Sequence, residues 1–366
     1  MPVLPLPLLE ADSRQAVWPG SVIDVDVHAV VPSTEVLFPY LDPVWQEHMR
    51  ERGWAGPSAD YAYPPALETT ARTAWRPPDG RVPASDASLL RELILDPWAV
   101  DHAIVNCSYP VDDGHPDLSA ALASAVNDWL VEEWLEKDPR LRASIVLPVR
   151  HPEALVREID RVGRHPGFVQ ALFPVRSGSA YGSRVYFPVL EALVRNELVM
   201  GIHWGGSNDR QPPTPSGWPS WYAEEYAAEQ QLFIAQLISL LAEGAFQAFP
   251  DLRVTFLESG FTWVPSWCWR LNKEWKGLRR EVPWLNRPPF EIVRDHVRFS
   301  SSPLDVESST ELGRVIGWLG SDELVLFATD YPHGHEDSLR LLLDAAPPSM
   351  LAELMSESAR RWYRLA

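Results

Sequence analysis

The segment VIDVDVH sets Asp24, Asp26 and His28 at alternate positions of a β-branched run. Residues two apart share one face of a strand, so these three polar side chains are expected to point one way, with Val25 and Val27 opposite. Two carboxylates and an imidazole buried together without a cation are costly, because unpaired buried charge destabilises a fold or shifts its protonation. A divalent metal resolves the conflict; a core cluster paired with arginine is the alternative. Two further apolar runs end in matching donors, VMGIHWGG with His203 and LFATDYPH with Asp330. Asp26, His28, His203 and Asp330 would supply two oxygen and two nitrogen ligands, a set suited to one Zn²⁺ or Mn²⁺ ion and too nitrogen-rich for a typical Ca²⁺ cage.

These residues can act together only if the fold brings the ends of their segments to one place. Eight apolar runs bounded by turn signals read as strands, at 21–28, 99–109, 141–149, 167–175, 198–204, 252–259, 296–302 and 324–330. Helical periodicity fills most gaps, at 118–136, 152–162, 186–195, 223–245, 265–281, 308–319 and 337–345, with a last helix over 349–361. Such alternation favours a parallel sheet. The residues after His28 are AVVPS rather than a glycine-rich phosphate loop, so a closed (β/α)₈ TIM barrel is expected over an open doubly wound sheet. In that barrel the C-terminal strand ends converge on one mouth, where catalytic groups sit. The exception to the alternation is 30–96, expected to be a cap-like insertion within a single domain spanning 1–366. A disordered spacer is the other reading, and the aromatics and the short amphipathic stretch of the insertion argue against it.

Composition narrows the partners. With 50 acidic against 32 basic residues and a net charge of -18, the surface is not built to neutralise phosphate or to lie on anionic lipid. Nucleic acid and membrane are therefore excluded as expected partners, and a small-molecule substrate is expected. The most apolar helical run, Gln230–Ala242, is well short of the roughly 20 residues a membrane span needs. The apolar N-terminal stretch lacks the basic region and cleavage site of a signal peptide. Cys107 and Cys268 have no metal-binding spacing, and a reducing cytoplasm fits them. The 35 prolines and 17 tryptophans gather in connecting segments, which predicts long ordered loops.

The motifs IDVDVH, GIHWGG, FPDLRVTFLESG and FATDYPHGH, each at a strand end, resemble the amidohydrolase superfamily, in its branch related to aminocarboxymuconate-semialdehyde decarboxylase. The resemblance runs from Val22 to about Asp337 and implies a (β/α)₈ barrel with one divalent metal, with Asp330 as ligand or proton shuttle. Two positions depart from the family's pattern. Asp26 stands where HxH or ExH is usual, which moves the preference toward harder cations such as Mn²⁺. Glu258 stands where the sixth strand usually offers a histidine, so Glu258 is expected to take over as acid or base. Its other reading is a structural pairing with Arg270 or Lys273.

Asp330, Glu258 and His203 are thus the candidate catalytic residues. For substrate contact the candidates are His333 in the turn HGHED, where His335 also lies, Arg176 and Arg270 as bidentate carboxylate binders, and Trp263 or Trp267 as a pocket wall. The aromatic stripe from Trp263 to Trp275 more often marks helix packing, against a core or in a homodimer, which is the expected assembly. The leading expectation for activity is hydrolysis of an amide, lactone or cyclic C–N bond. Its alternatives are non-oxidative decarboxylation of an aromatic or enolic acid, and a non-catalytic barrel that binds a ligand. No GxSxG elbow, P-loop or Cys/His nucleophile pair appears.

Overall fold

The computed structural model describes residues 18–54, 71–112, 115–206, 212, 214, 216–334 and 338–366. Eight parallel strands follow one another in chain order around one sheet: β1 (Ile23–His28), β2 (His102–Asn106), β3 (Leu141–Ile145), β4 (Phe168–Arg176), β5 (Val199–Gly206), β6 (Val254–Leu257), β7 (Val297–Ser300) and β8 (Val325–Leu326). The last strand returns to the first. Val25 N donates to Phe327 O at 3.0 Å, His28 N to Tyr331 O at 2.8 Å, and Asp330 N to Asp26 O at 3.0 Å. The sheet therefore closes, and the expected (β/α)₈ barrel is the observed fold. All eight strands fall within their sequence-based spans except β4 and β5, which run one and two residues further. β8 keeps only two residues of regular ladder, because the chain beyond it pairs with β1 through the irregular bonds just given.

Helices cover the outside, and local chemistry sets their ends. Pro152–Val162 buries Ala154, Leu155, Glu158, Ile159 and Val162, the three-and-four spacing of a one-sided helix. Ser308 caps Ser309–Leu319 by accepting from Glu311 N, and Gly320 ends that helix at φ 65°. Ser338 caps Leu339–Ala345 in the same way. The single helix expected over 223–245 is instead two, Tyr222–Ala228 and Gln230–Ala242. Pro289–His296, which abuts β7, was not expected, since its apolar pattern runs straight into that of the strand. Among the described residues, no helix is long and apolar enough to cross a membrane.

The core has two parts. Between barrel and helices, Phe256 stacks on Phe299 at 5.5 Å and Trp263 meets Phe299 edge-on at 5.6 Å; a fully buried side chain of this size contributes about 1.5–3 kcal/mol. Trp263 is thereby used up in packing, with its Nε1 donating to Ser259 O at 3.1 Å. Along the barrel axis, Ile23, Val25, Ile104, Leu172, Val199, Leu257 and Leu326 pack with Trp362 and Tyr363. The pairing of β1 with β2 shifts register between Asp24 and Val27, and this breaks strict alternation. Val25 joins Ile23 in the axial cluster, while Val27 belongs to the outer one. The expectation that Asp24 shares a face with Asp26 and His28 is corrected by that irregularity.

The insertion contributes Pro43–Arg52 and Ala87–Leu90. Its residues 71–75 lie against the segment after β8: Ala71 pairs with His333, Arg72 N donates to Pro332 O at 2.9 Å, and Trp75 meets Tyr331 at 5.4 Å. Its middle, 55–70, lies outside the described residues, as does His335.

Candidate metal centre

At the C-terminal mouth of the barrel, one donor atom from each of Asp26, His28, His203 and Asp330 lies within 4.8 Å of all the others, and all four residues are buried. These are the four residues singled out from the sequence. β1 supplies Asp26 and His28, β5 supplies His203, and Asp330 follows β8. The seam bond from Asp330 N to Asp26 O holds two of the carboxylates in register. His28 Nε2 lies 3.0 Å from Asp330 Oδ1 and 3.7 Å from Asp26 Oδ1, while His203 Nε2 lies 3.5 Å from Asp26 Oδ1. His203 Nδ1 is 2.8 Å from Trp204 O. A ring nitrogen facing a carbonyl carries the proton, which leaves the Nε2 lone pair facing the carboxylates. Among the described residues, Asp26 Oδ2 and His203 Nε2 are buried without a hydrogen-bond partner. Two such buried atoms on neighbouring side chains are what a cation would satisfy.

Asp24 stands apart from this group. Its carboxylate accepts from Thr329 N at 3.1 Å, Thr329 Oγ1 at 2.6 Å and Asp26 N at 3.2 Å. Burial pushes it up to about 7 against the pull of those bonds.

Glu258 extends the centre. A donor atom of Glu258 lies within 4.8 Å of donor atoms of His28, Asp330 and His333. Its Oε1 accepts from Tyr226 OH at 3.0 Å, and its Oε2 lies 3.9 Å from His203 Nε2. The structural pairing with Arg270 or Lys273 is not what is found: both are exposed on the helix Val264–Leu278, and Arg270 is not brought to the site. Glu258 and Asp330 both have left-handed backbones, with φ of 52° and 55°. Residues other than glycine rarely adopt that conformation, and such strain gathers at functional sites.

His333 is half-buried on the rim, its Nδ1 3.2 Å from Asp330 Oδ2 and its ring 4.5 Å from that of His28. Arg176, at the end of β4, is buried and 3.3 Å from Glu225 Oε1. Its charge is already matched, so it is not a free carboxylate clamp. Burial works against a charged His203, but with no cation in the centre the carboxylates of Asp26 and Glu258 and the carbonyl of Trp204 outweigh it and push the imidazole up to about 10, so an ion would have to displace the proton that those carboxylates hold on Nε2. Burial also pushes Glu229 up to about 8, with Arg176 opposing and Glu225 and Glu258 reinforcing.

Sequence reasoning missed Tyr226 and Asn106. Asn106 Nδ2 donates to Asp26 Oδ1 at 2.8 Å. The signal for Asn106 was present, a polar residue ending the apolar run AIVN at a barrel strand terminus. Tyr226 had none, because only the fold brings its helix over β6.

A closed parallel barrel with four candidate metal donors at its C-terminal mouth is the arrangement that the amidohydrolase resemblance implies. The amidohydrolase family model matches residues 23–365, and the chain belongs to that family. It is 24% identical over 259 residues to γ-resorcylate decarboxylase of Rhizobium radiobacter, covering 67% of this chain and 76% of that protein. In structure it is similar to an amidohydrolase of Mycobacterium avium subsp. paratuberculosis K-10, with TM-score 0.72, 20% identity and 94% and 99% of the two chains covered. It is also similar to a dihydroxybenzoic acid decarboxylase of Polaromonas sp. JS666 with bound manganese and the inhibitor 2-nitroresorcinol, with TM-score 0.64, 19% identity and 94% and 97% covered.

Proposed function

We propose that this protein is a divalent-metal-dependent, non-oxidative decarboxylase of an aromatic carboxylic acid bearing an oxygen substituent beside the carboxylate. The hydrolytic expectation gives way to this alternative, and what carries the choice is the kinship with γ-resorcylate decarboxylases over two thirds of the chain. Asp26, His28, His203 and Asp330 would hold the ion. When bound, a hard divalent ion such as Mn²⁺ supplies positive charge that orients the substrate's oxygens and draws electron density from the ring.

The remaining work falls to the protein's own groups. The bond between ring carbon and carboxylate breaks, its electron pair stays on the ring carbon, and carbon dioxide leaves. That carbon must then receive a proton. Glu258 is the group that delivers it, since it is buried, its Oε1 is fixed by Tyr226, and it faces Asp330 and His333 across the centre. Trp204 and Tyr226, with ring centroids 5.6 Å apart and planes tilted by 45°, would give an aromatic ring apolar surface near Glu258, which Tyr226 OH contacts. His333, hydrogen-bonded to Asp330, would contact the substrate at the rim.

The test is to incubate the purified protein with Mn²⁺ and a panel of hydroxybenzoates, amides and lactones. Ion-dependent release of carbon dioxide from a hydroxybenzoate is expected. Hydrolysis of an amide or lactone with no carbon dioxide from any acid would overturn the assignment.

A further inference from the structure

A chain of hydrogen bonds runs along the barrel axis from Asp26 at the mouth to the segment after the helix Ser358–Trp362 at the opposite end. At the mouth, Asn106 Nδ2 donates to Asp26 Oδ1 at 2.8 Å. Asn106 Oδ1 is then turned away from the carboxylate and accepts from Ser144 Oγ at 2.5 Å and Gln170 Nε2 at 3.2 Å. Gln170 Nε2 also donates to Ser144 Oγ at 2.8 Å, and Gln170 Oε1 accepts from Tyr363 OH at 2.8 Å. Tyr363 OH lies 3.0 Å from Thr255 Oγ1, which accepts from Trp362 Nε1 at 2.9 Å.

The polarity of this chain is forced from one end. A carboxylate offers no hydrogen, so the Asn106 amide must present its NH₂ to Asp26 and its oxygen inward. Gln170 must then donate to that oxygen and accept with its own. Tyr363 has one hydroxyl hydrogen, which Gln170 Oε1 requires, so Thr255 donates to Tyr363 and accepts from the indole. Every donor points toward Asp26. Asn106, Ser144, Gln170 and Thr255 are wholly shielded from solvent and Tyr363 nearly so, and aligned donors in a shielded site strengthen one another.

We propose that Tyr363 and Trp362 are positioning residues for the metal centre, holding Asp26 in its ligating orientation through this axial relay, so that docking of the 358–366 segment sets divalent-ion affinity. The inference rests on the reading of Asp26 as a metal ligand. Oδ1, the oxygen tied to Asn106, is also the one 3.5 Å from His203 Nε2 and 3.7 Å from His28 Nε2, so the relay fixes the oxygen that faces the other donors. Groups that orient a ligand in this way govern affinity almost as strongly as the ligand itself.

Mn²⁺ dissociation constants, read by the electron-paramagnetic-resonance signal of free ion, test the relay on the full chain. Asn106→Ala is expected to weaken binding about 10- to 100-fold and Tyr363→Phe about 3- to 10-fold. The double variant should be no weaker than Asn106→Ala alone, because both cut one chain. Thr255→Val, which removes the hydroxyl that donates to Tyr363 and keeps the side-chain volume, leaves the bond from Tyr363 to Gln170 in place and should weaken binding in the same direction by less than Tyr363→Phe. A purely structural role would lower the melting temperature of Tyr363→Phe or Thr255→Val with the Mn²⁺ constant unchanged, and that result overturns the relay. So do effects that multiply in the double variant. A wild-type protein that takes up no divalent ion overturns the metal reading itself, and the relay with it.

Discussion

Replacing Glu258 by glutamine separates proton delivery from metal holding. Glutamine has the same shape, and its amide oxygen can still accept from Tyr226 OH at the 3.0 Å position of Oε1, so the fold is retained. That bond loses its charge assistance, a cost of about 1 kcal/mol in stability. What disappears is a proton carrier, and a positioned acid or base is worth roughly 10²–10⁴ in rate, or about 2.7–5.5 kcal/mol of barrier. Asp26, His28, His203 and Asp330 form their group without Glu258, so metal content should stay near one ion per chain. The assay is single-turnover carbon dioxide release with the best hydroxybenzoate, alongside metal analysis of the same preparation. A rate within about threefold of wild type would remove Glu258 from the mechanism. Loss of the ion would make it a ligand in the neighbouring group with His28, Asp330 and His333 and refute the division of labour.

Asp26→Ala and His203→Ala should each lose bound metal and activity together; retention of one ion per chain in either variant, by metal analysis, would exclude that residue as a ligand. Away from the site, Asp138 accepts from Arg140 and Arg91, and those hydrogen bonds, with burial opposing, hold its carboxyl down from 3.8 to about 2. A depressed carboxyl stabilises the fold above its unfolded value and loses that contribution as pH falls from 3.8 toward about 2. Asp138→Asn should therefore cost about 1–2 kcal/mol at pH 7, after allowing for screening at the partly exposed arginines, and much less near pH 2. Urea denaturation at both pH values reads the difference, and an equal cost at each would show that charge is not the cause. The exposed pair Trp269 and Trp318, 5.8 Å apart, is the surface on which the expected homodimer is proposed. Trp269→Ala with Trp318→Ala should then sediment as a monomer where wild type does not, and an unchanged mass would place any dimer elsewhere.

The barrel and its four-donor centre were legible because they rest on local signals: apolar runs that end in a histidine or carboxylate, and a topology that brings every such end to one mouth. The orientation of Asp24 was not legible, since a register shift within β1 is decided by pairing with β2 rather than by alternation in the strand itself. The surroundings of Trp263 and Arg270 were not legible for a related reason. Position on a helix after β6 does not say which face turns toward the barrel, and the faces taken up were packing on Phe299 for one and solvent for the other. Tyr226 was invisible because its partnership with Glu258 spans two elements whose relative placement only the closed barrel fixes.

The seam between β8 and β1 has a consequence for how the protein is made. His28 and Asp330 stand 302 positions apart in the chain, and no subset of earlier strands brings them together. A ribosome must release nearly the whole barrel before the fourth donor can reach the other three. On the metal reading the donor set is complete only when Asp330 arrives, after Asp26, His28 and His203 have long been made. Nonlocal closure of this length is slow, and the meeting of the four donors is a report that the barrel has been completed.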